Sequence, residues 1–203
     1  MKVGSDYWLE GVRRVPLRDG GMLFPRRFLV IHFTAGWTGD SSIEAMRERR
    51  LSAHLVIDRD GKITQCVPFN RVAFHAGSSA WRDPKTNVLY RGLNHHAIGI
   101  ELANCGDLVR DTYPSTLGAL AGKKIPRLTA PHKHGGPARD WEIYPSAQLA
   151  ACEMVSKVLV ERFNLDDVVG HENISPGRKT DPGPAFPLEA LRKACGIDRP
   201  LVS

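Results

Sequence analysis

Hydrophobic positions in this chain gather into short dense runs, separated by polar stretches rich in Gly and Pro. Phe28-Leu-Val-Ile31 is one such run, and its length and composition predict a central strand buried on both faces. Ser52-Ala-His-Leu-Val-Ile-Asp58 and Lys62-Ile-Thr-Gln-Cys-Val67 flank the tight turn Arg59-Asp-Gly61, the pattern of an antiparallel hairpin. Ala97-Ile-Gly-Ile-Glu-Leu-Ala103 predicts another buried strand. Helical spacing governs Ala147 to Phe163, where Leu149, Cys152, Val155, Val158 and Leu159 share one side and Ser146 is the expected cap. A closing helix runs from Leu188 to Cys195 and stops at Gly196. A short helix over Ile43 to Arg50 is expected behind Ser41-Ser42, with Glu44 three residues after Ser41 as in a capping box.

Two stretches lack either period. Residues 1–26 are mixed and turn-rich and read as an arm before the core. Between Gly106 and Trp141 a series of Pro and Gly residues breaks any regular element, so about 107–141 reads as a loop-rich insertion over one face. Ser78 to Leu93 is also loop-like. The expected organisation is therefore an arm at 1–26, a single domain at 27–196 carrying the insertion, and a tail at 197–203, within the 203 residues that ordinarily make one domain.

Composition removes several classes. No apolar window is long enough to span a bilayer, and the first ten residues have no apolar h-region, so the protein is expected to be cytoplasmic as synthesised. Four widely spaced cysteines without a C-x-x-C pair argue against a Cys-based zinc cluster and fit reduced thiols. The net charge of +6 attracts polyanions. With no finger, RNP or basic-helix signature, nucleic acid is not the expected partner. Nothing demands a dimer, and a monomer is expected.

The chemistry concentrates in Gly170-His-Glu-Asn-Ile-Ser-Pro-Gly-Arg-Lys-Thr-Asp-Pro-Gly183, an irregular loop holding His171, Lys179 and Asp181. Its partners come from the N-terminal half. His32 ends the first buried strand, a position for either a hydrogen-bonded core histidine or a ligand. Glu101 stands inside an apolar run, where a carboxylate is costly unless paired or bound. His75, in Phe74-His-Ala-Gly77, lines a cleft or simply sits in a loop. His54 alternates with apolar neighbours and reads as structural. His95-His96 fits turn chemistry, and His132-Lys-His134 lies on a polar loop where H-x-H seldom binds metal. Two imidazoles and a carboxylate, His32, His171 and Asp181, make a three-ligand zinc set with a fourth position for water, the arrangement of a catalytic site. Glu101 would take or relay the proton and Lys179 would stabilise an oxyanion.

The chain resembles the zinc-dependent N-acetylmuramoyl-L-alanine amidases of the type 2 group, which also includes peptidoglycan recognition proteins. The pieces that carry the resemblance are Phe28 to Ala35, Ser52 to Gly61, His75-Ala-Gly77, Asn94 to Leu102 and His171 to Pro184, in family order over roughly residues 27–190. The resemblance implies an α/β fold with a mixed central β-sheet flanked by helices, one Zn2+ per chain, and cleavage of the amide between the muramoyl lactyl group and L-Ala. It implies zinc ligation by His32, His171 and Asp181, catalysis by Glu101 and Lys179, and substrate contacts from Thr34, His75 and Asn94. Some members carry a Tyr before the hairpin His; here that place is Ala53. Glu101 is the acid of the branch resembling muropeptide-recycling amidases.

The expected partner is thus peptidoglycan or its muropeptides. Basic charge and the insertion favour a phage or prophage endolysin, reaching the cell wall after release by another protein. The alternative is a cytosolic amidase recycling anhydro-muropeptides. A peptidoglycan-binding module without catalysis is less favoured, because such members typically lose a zinc ligand and this chain keeps all three.

Overall fold

The computed structural model describes residues 1–108 and 124–201. Its centre is a six-stranded mixed sheet in the order β1-β4-β3-β7-β2-β10. These strands are β1 (Arg13–Arg14), β2 (Phe28–Phe33), β3 (Leu55–Ile57), β4 (Ile63–Gln65), β7 (Ala97–Leu102) and β10 (Asp167–Gly170). Only β3 and β4 pair antiparallel, as the predicted hairpin; β2 runs parallel to both β7 and β10. Strands buried on both faces need no polar alternation, which is why Phe28–Ile31 is a continuous apolar run.

The period of two along these strands assigns the faces. Leu29, Ile31, Ile98, Ile100, Leu102 and Val168 join the larger core, under α2 (Ser146–Phe163), which contributes Ala151, Cys152, Val155 and Leu159. The helix α4 (Leu188–Ala194) closes the same layer through Leu188 and Leu191. Phe28, Val30, Ala97 and Val169 face the other way, against Ala76, Trp81, Leu93 and Ile174. Continuing that alternation by one step brings His32 and Glu101 onto this second face, directly across from each other in the β2–β7 register. The second face also carries α1 (Gly39–Glu48), whose Ile43 packs on Val56 and Cys66.

Several expectations change. Residues 1–26 are not an arm outside the core: β1 extends the sheet along β4, and Leu9 and Leu23 are fully buried. Their apolar residues occur singly, so no periodicity marks them. Helix α1 begins at Gly39, four residues before the predicted start; Thr38 is its cap, and Ser41 is the third helical residue that completes the box. Ser146 opens α2 but does not cap it, because Pro145 holds that position.

Ser78–Leu93 contains a hairpin, β5 (Ala80–Arg82) with β6 (Leu89–Arg91), and the expected insertion contains another, β8 (Arg127–Ala130) with β9 (Arg139–Glu142). These strands are short and, unlike β3 and β4, not buried throughout, so no apolar run marks them. The part of the insertion at 109–123 lies outside the described residues.

Candidate active site

Three strands deliver the chemistry at their carboxyl ends, the edge where open α/β sheets hold ligands. His32 lies in β2, Glu101 in β7, and His171 opens the short helix α3 (His171–Ile174) immediately after β10. The irregular loop after α3 returns Asp181 to the same point. His32 Nδ1 and His171 Nδ1 are 2.9 Å apart, and each lies 3.0 Å from Asp181 Oδ2. All three residues are buried, and among the described residues they form the only such cluster able to converge on one ion.

The bonding around this triangle tests whether a cation fits. His171 Nε2 lies 3.0 Å from the Ala76 carbonyl oxygen. A carbonyl only accepts, so Nε2 carries a proton towards Ala76 and Nδ1 is the ring nitrogen turned to His32 and Asp181. Asp181 stays ionised: burial alone would raise its pKa, but hydrogen bonding and charge from His171 and His32 outweigh burial and lower it. Burial, followed by the neighbouring His171, lowers His32 to about 4, so that ring is neutral at pH 7. Nδ1 of two imidazoles and a carboxylate oxygen therefore meet within 3.0 Å, an arrangement held together by a cation or a proton among them. The donor set fits zinc in composition and number.

Surrounding groups hold the rings in place, as the supporting shell of a metal site would. His32 Nε2 meets His75 Nδ1 at 2.9 Å. The His75 ring lies over Gly99, where a Cβ would come within 2.5 Å of the ring; only glycine leaves β7 bare enough. Arg178 Nη2 donates to the carbonyl oxygens of Ala76 (2.9 Å) and Ser78 (2.7 Å), tying the loop after His75 to the metal loop. The motif carries Arg178 openly, but nothing in the sequence indicates that its partners lie about a hundred residues upstream.

Asn94 does not line the cleft among the described residues. Its Oδ1 accepts from the backbone N–H groups of His75 (3.0 Å) and Ala76 (2.7 Å), so it holds the loop from behind instead of facing a substrate.

The cleft itself encloses about 620 Å³ and is lined by His32, Thr34, Trp37, His75, Glu101 and Lys179, among others. Thr34 Oγ1 accepts from Gly36 N–H at 3.0 Å, shaping the turn from β2 towards α1. Glu101 Oε2 is buried with no hydrogen-bond partner among the described residues. Burial chiefly, and then the charge of Asp181, raises its pKa well above the ordinary carboxyl range, while Lys179 pulls in the opposite direction. A partly buried carboxyl group with a buried, uncommitted oxygen beside the His32–His171–Asp181 cluster is suited to exchanging protons.

Elsewhere, His54 is structural. Its Nε2 faces the Arg71 carbonyl oxygen at 2.9 Å and its Nδ1 accepts from Gly99 N–H at 3.0 Å.

Fold and site together define an α/β domain in which two histidines and a carboxylate are placed to hold one metal ion. The chain belongs to the N-acetylmuramoyl-L-alanine amidase family, whose profile matches residues 23–184. It is 32% identical over 192 residues to N-acetylmuramoyl-L-alanine amidase AmiD of Escherichia coli K12, covering 90% of this chain and 58% of that protein. It is 32% identical over 145 residues to 1,6-anhydro-N-acetylmuramyl-L-alanine amidase AmpD of Salmonella typhimurium LT2, covering 70% of this chain and 56% of the relative. The chain thus spans somewhat over half the length of these curated relatives.

Among solved structures, the complex of E. coli AmiD with anhydro-N-acetylmuramic acid-L-Ala-D-gamma-Glu-L-Lys superposes with a TM-score of 0.63 at 29% identity, covering 86% of this chain and 59% of that one. The endolysin LysCS of Clostridium intestinale matches with a TM-score of 0.61 at 18% identity, covering 94% and 99% of the two chains, a likeness of fold alone.

Proposed function

We propose that this protein is a zinc-dependent amidase that hydrolyses the amide between the N-acetylmuramoyl lactyl group and L-Ala in soluble anhydro-muropeptides. The observation that carries this reading is the convergence of His32, His171 and Asp181 on one point beside the uncommitted carboxyl oxygen of Glu101. The preference for muropeptide fragments rests on the relatives at 32% identity, AmiD and AmpD. The first expectation, an endolysin, is supported by fold likeness only.

His32 Nδ1, His171 Nδ1 and Asp181 Oδ2 would hold the zinc. When bound, zinc supplies Lewis acidity towards the scissile carbonyl and lowers the pKa of a coordinated water to roughly 7. Glu101 Oε2 accepts a proton from the attacking water as its oxygen bonds to the carbonyl carbon. The Lys179 ammonium stabilises negative charge on the carbonyl oxygen. Glu101 then returns its proton to the departing nitrogen as the C–N bond breaks, leaving a lactyl carboxylic acid and a free L-Ala amine, between which the remaining water proton re-equilibrates. Thr34 and His75, both on the cleft wall, are positioned to confine the substrate, and His75 also orients His32.

Mass spectrometry of defined muropeptides incubated with zinc-loaded protein tests this reading. Release of a stem peptide with an L-Ala amino terminus is expected from anhydro-muropeptides, and much less from intact sacculi. Faster release from sacculi would restore the endolysin reading. Tight binding of either substrate without release would leave a binding module.

A further inference from the structure

The loop-rich stretch expected to cover one face does something more definite: the turn of the β8–β9 hairpin grips the residue next to a metal ligand. Glu172 follows His171 and is only 4% exposed. Its Oε2 lies 2.6 Å from His132 Nε2, and its Oε1 lies 2.7 Å from Lys133 Nζ. His132 Nδ1 accepts from His134 N–H at 3.2 Å, so the ring donates from Nε2 to Glu172. His134 Nε2 meets the Glu172 carbonyl oxygen at 2.9 Å. Three consecutive residues at the hairpin tip are thus committed to one residue of α3.

Glu172 is committed equally to the loop that bears the other ligand. Its N–H donates to the Asp181 carbonyl oxygen at 2.7 Å, and its Oε2 accepts from Gly183 N–H at 3.3 Å. Trp141, in β9, closes the outside of the same loop: a Cβ on Gly183 would come within 2.9 Å of its ring.

The three ligands need such support unequally. His32 sits within the β2–β7 ladder opposite Glu101, whereas His171 opens a four-residue helix and Asp181 lies in irregular chain. Elements of that kind have little hydrogen bonding of their own to fix a ligand atom.

We propose that Glu172 is a positioning residue for the metal centre, and that the β8–β9 hairpin acts through it to hold His171 and Asp181 in ligating geometry and so sets metal affinity. This rests on the metal-centre reading above. Glu172 touches no reacting atom; its effect passes through the two ligands it spaces.

The test compares wild type, Glu172→Gln and the hairpin variant His132→Gln/Lys133→Gln by zinc competition against a chromophoric chelator, by the absorption spectrum after cobalt substitution, and by metal-free unfolding. Both variants are expected to bind zinc about 10- to 100-fold more weakly, the usual cost of losing a supporting partner of a metal ligand, and to show an altered cobalt spectrum. Unchanged zinc affinity and a superimposable cobalt spectrum, even with lowered metal-free stability, would overturn the proposal and leave Glu172 a structural tie. If Glu172→Gln does not fold, the hairpin variant, altered outside the metal loop, decides by the same two readings. Failure of the wild type itself to take up zinc would remove the metal reading and the clamp with it.

Discussion

His171 and Ala76 are joined by a hydrogen bond of 3.0 Å from Nε2 to the carbonyl oxygen, and that bond turns Nδ1 the other way. Nδ1 faces the point where His32 Nδ1 and Asp181 Oδ2 also converge. Removing the metal is therefore expected to abolish hydrolysis, and adding zinc to the stripped protein to restore it. Asp181→Ala is expected to lose both bound zinc and activity to background. Elemental analysis alongside muropeptide hydrolysis checks this, and full activity in protein verified free of zinc would refute the mechanism.

Glu101 has a different signature. It is not one of the three converging ligands, and its Oε2 is left without a partner among the described residues. Glu101→Gln keeps the shape and removes the proton acceptor. Loss of a general acid–base typically costs about 10²–10⁴-fold in rate. The expected outcome is a fall of that order in kcat with KM and zinc content close to wild type. A variant that loses zinc together with rate would make Glu101 a supporter of the metal instead.

The contrast between these residues explains how much the sequence disclosed. His171 and Asp181 were legible because one short span rich in Pro and Gly holds both, and His32 because it ends an apolar run. Glu101 stood out as a charge inside a buried strand. The partners that orient them were not legible: Arg178 meets Ala76 and Ser78, and Glu172 meets His132 and Lys133, through contacts that no local pattern encodes. Asn94, expected at the substrate, has its Oδ1 on the backbone N–H groups of His75 and Ala76, a partnership equally invisible in the sequence. The central strands were read correctly because burial on both faces imposes long apolar runs; the two outer hairpins were missed because short, partly exposed strands impose almost nothing.

Gly99 offers a packing test of the site from behind. A Cβ there would stand 2.5 Å from the His75 ring and force it away from His32. Overpacking of this kind typically costs about 1–3 kcal/mol. Gly99→Ala is expected to lose stability of that order in urea unfolding and to bind zinc more weakly, because His32 loses its partner at Nε2. Unaltered zinc affinity would show that His32 keeps its orientation without His75.

His54 gives a pH dependence whose sign follows from its bonds. Its Nδ1 accepts from Gly99 N–H and its Nε2 donates to the Arg71 carbonyl oxygen, so both nitrogens are used by the neutral ring and a second proton has nowhere to go. Burial lowers its pKa to about 4, against an ordinary value of 6.5. Between those values the unfolded chain binds a proton that the folded protein refuses. The stabilisation is therefore fully present above pH 6.5 and is lost as pH falls towards 4. A shift of that size corresponds to a loss on the order of 3 kcal/mol. The buried His32 and His75 contribute in the same direction in metal-free protein, so the comparison must be differential. His54→Gln cannot titrate and retains an acceptor for Gly99 and a donor for Arg71. Its urea stability is expected to fall less steeply than wild type between pH 6.5 and 4. Parallel slopes would mean that His54 takes up its proton in the folded state, and that one of these two backbone bonds opens to admit it.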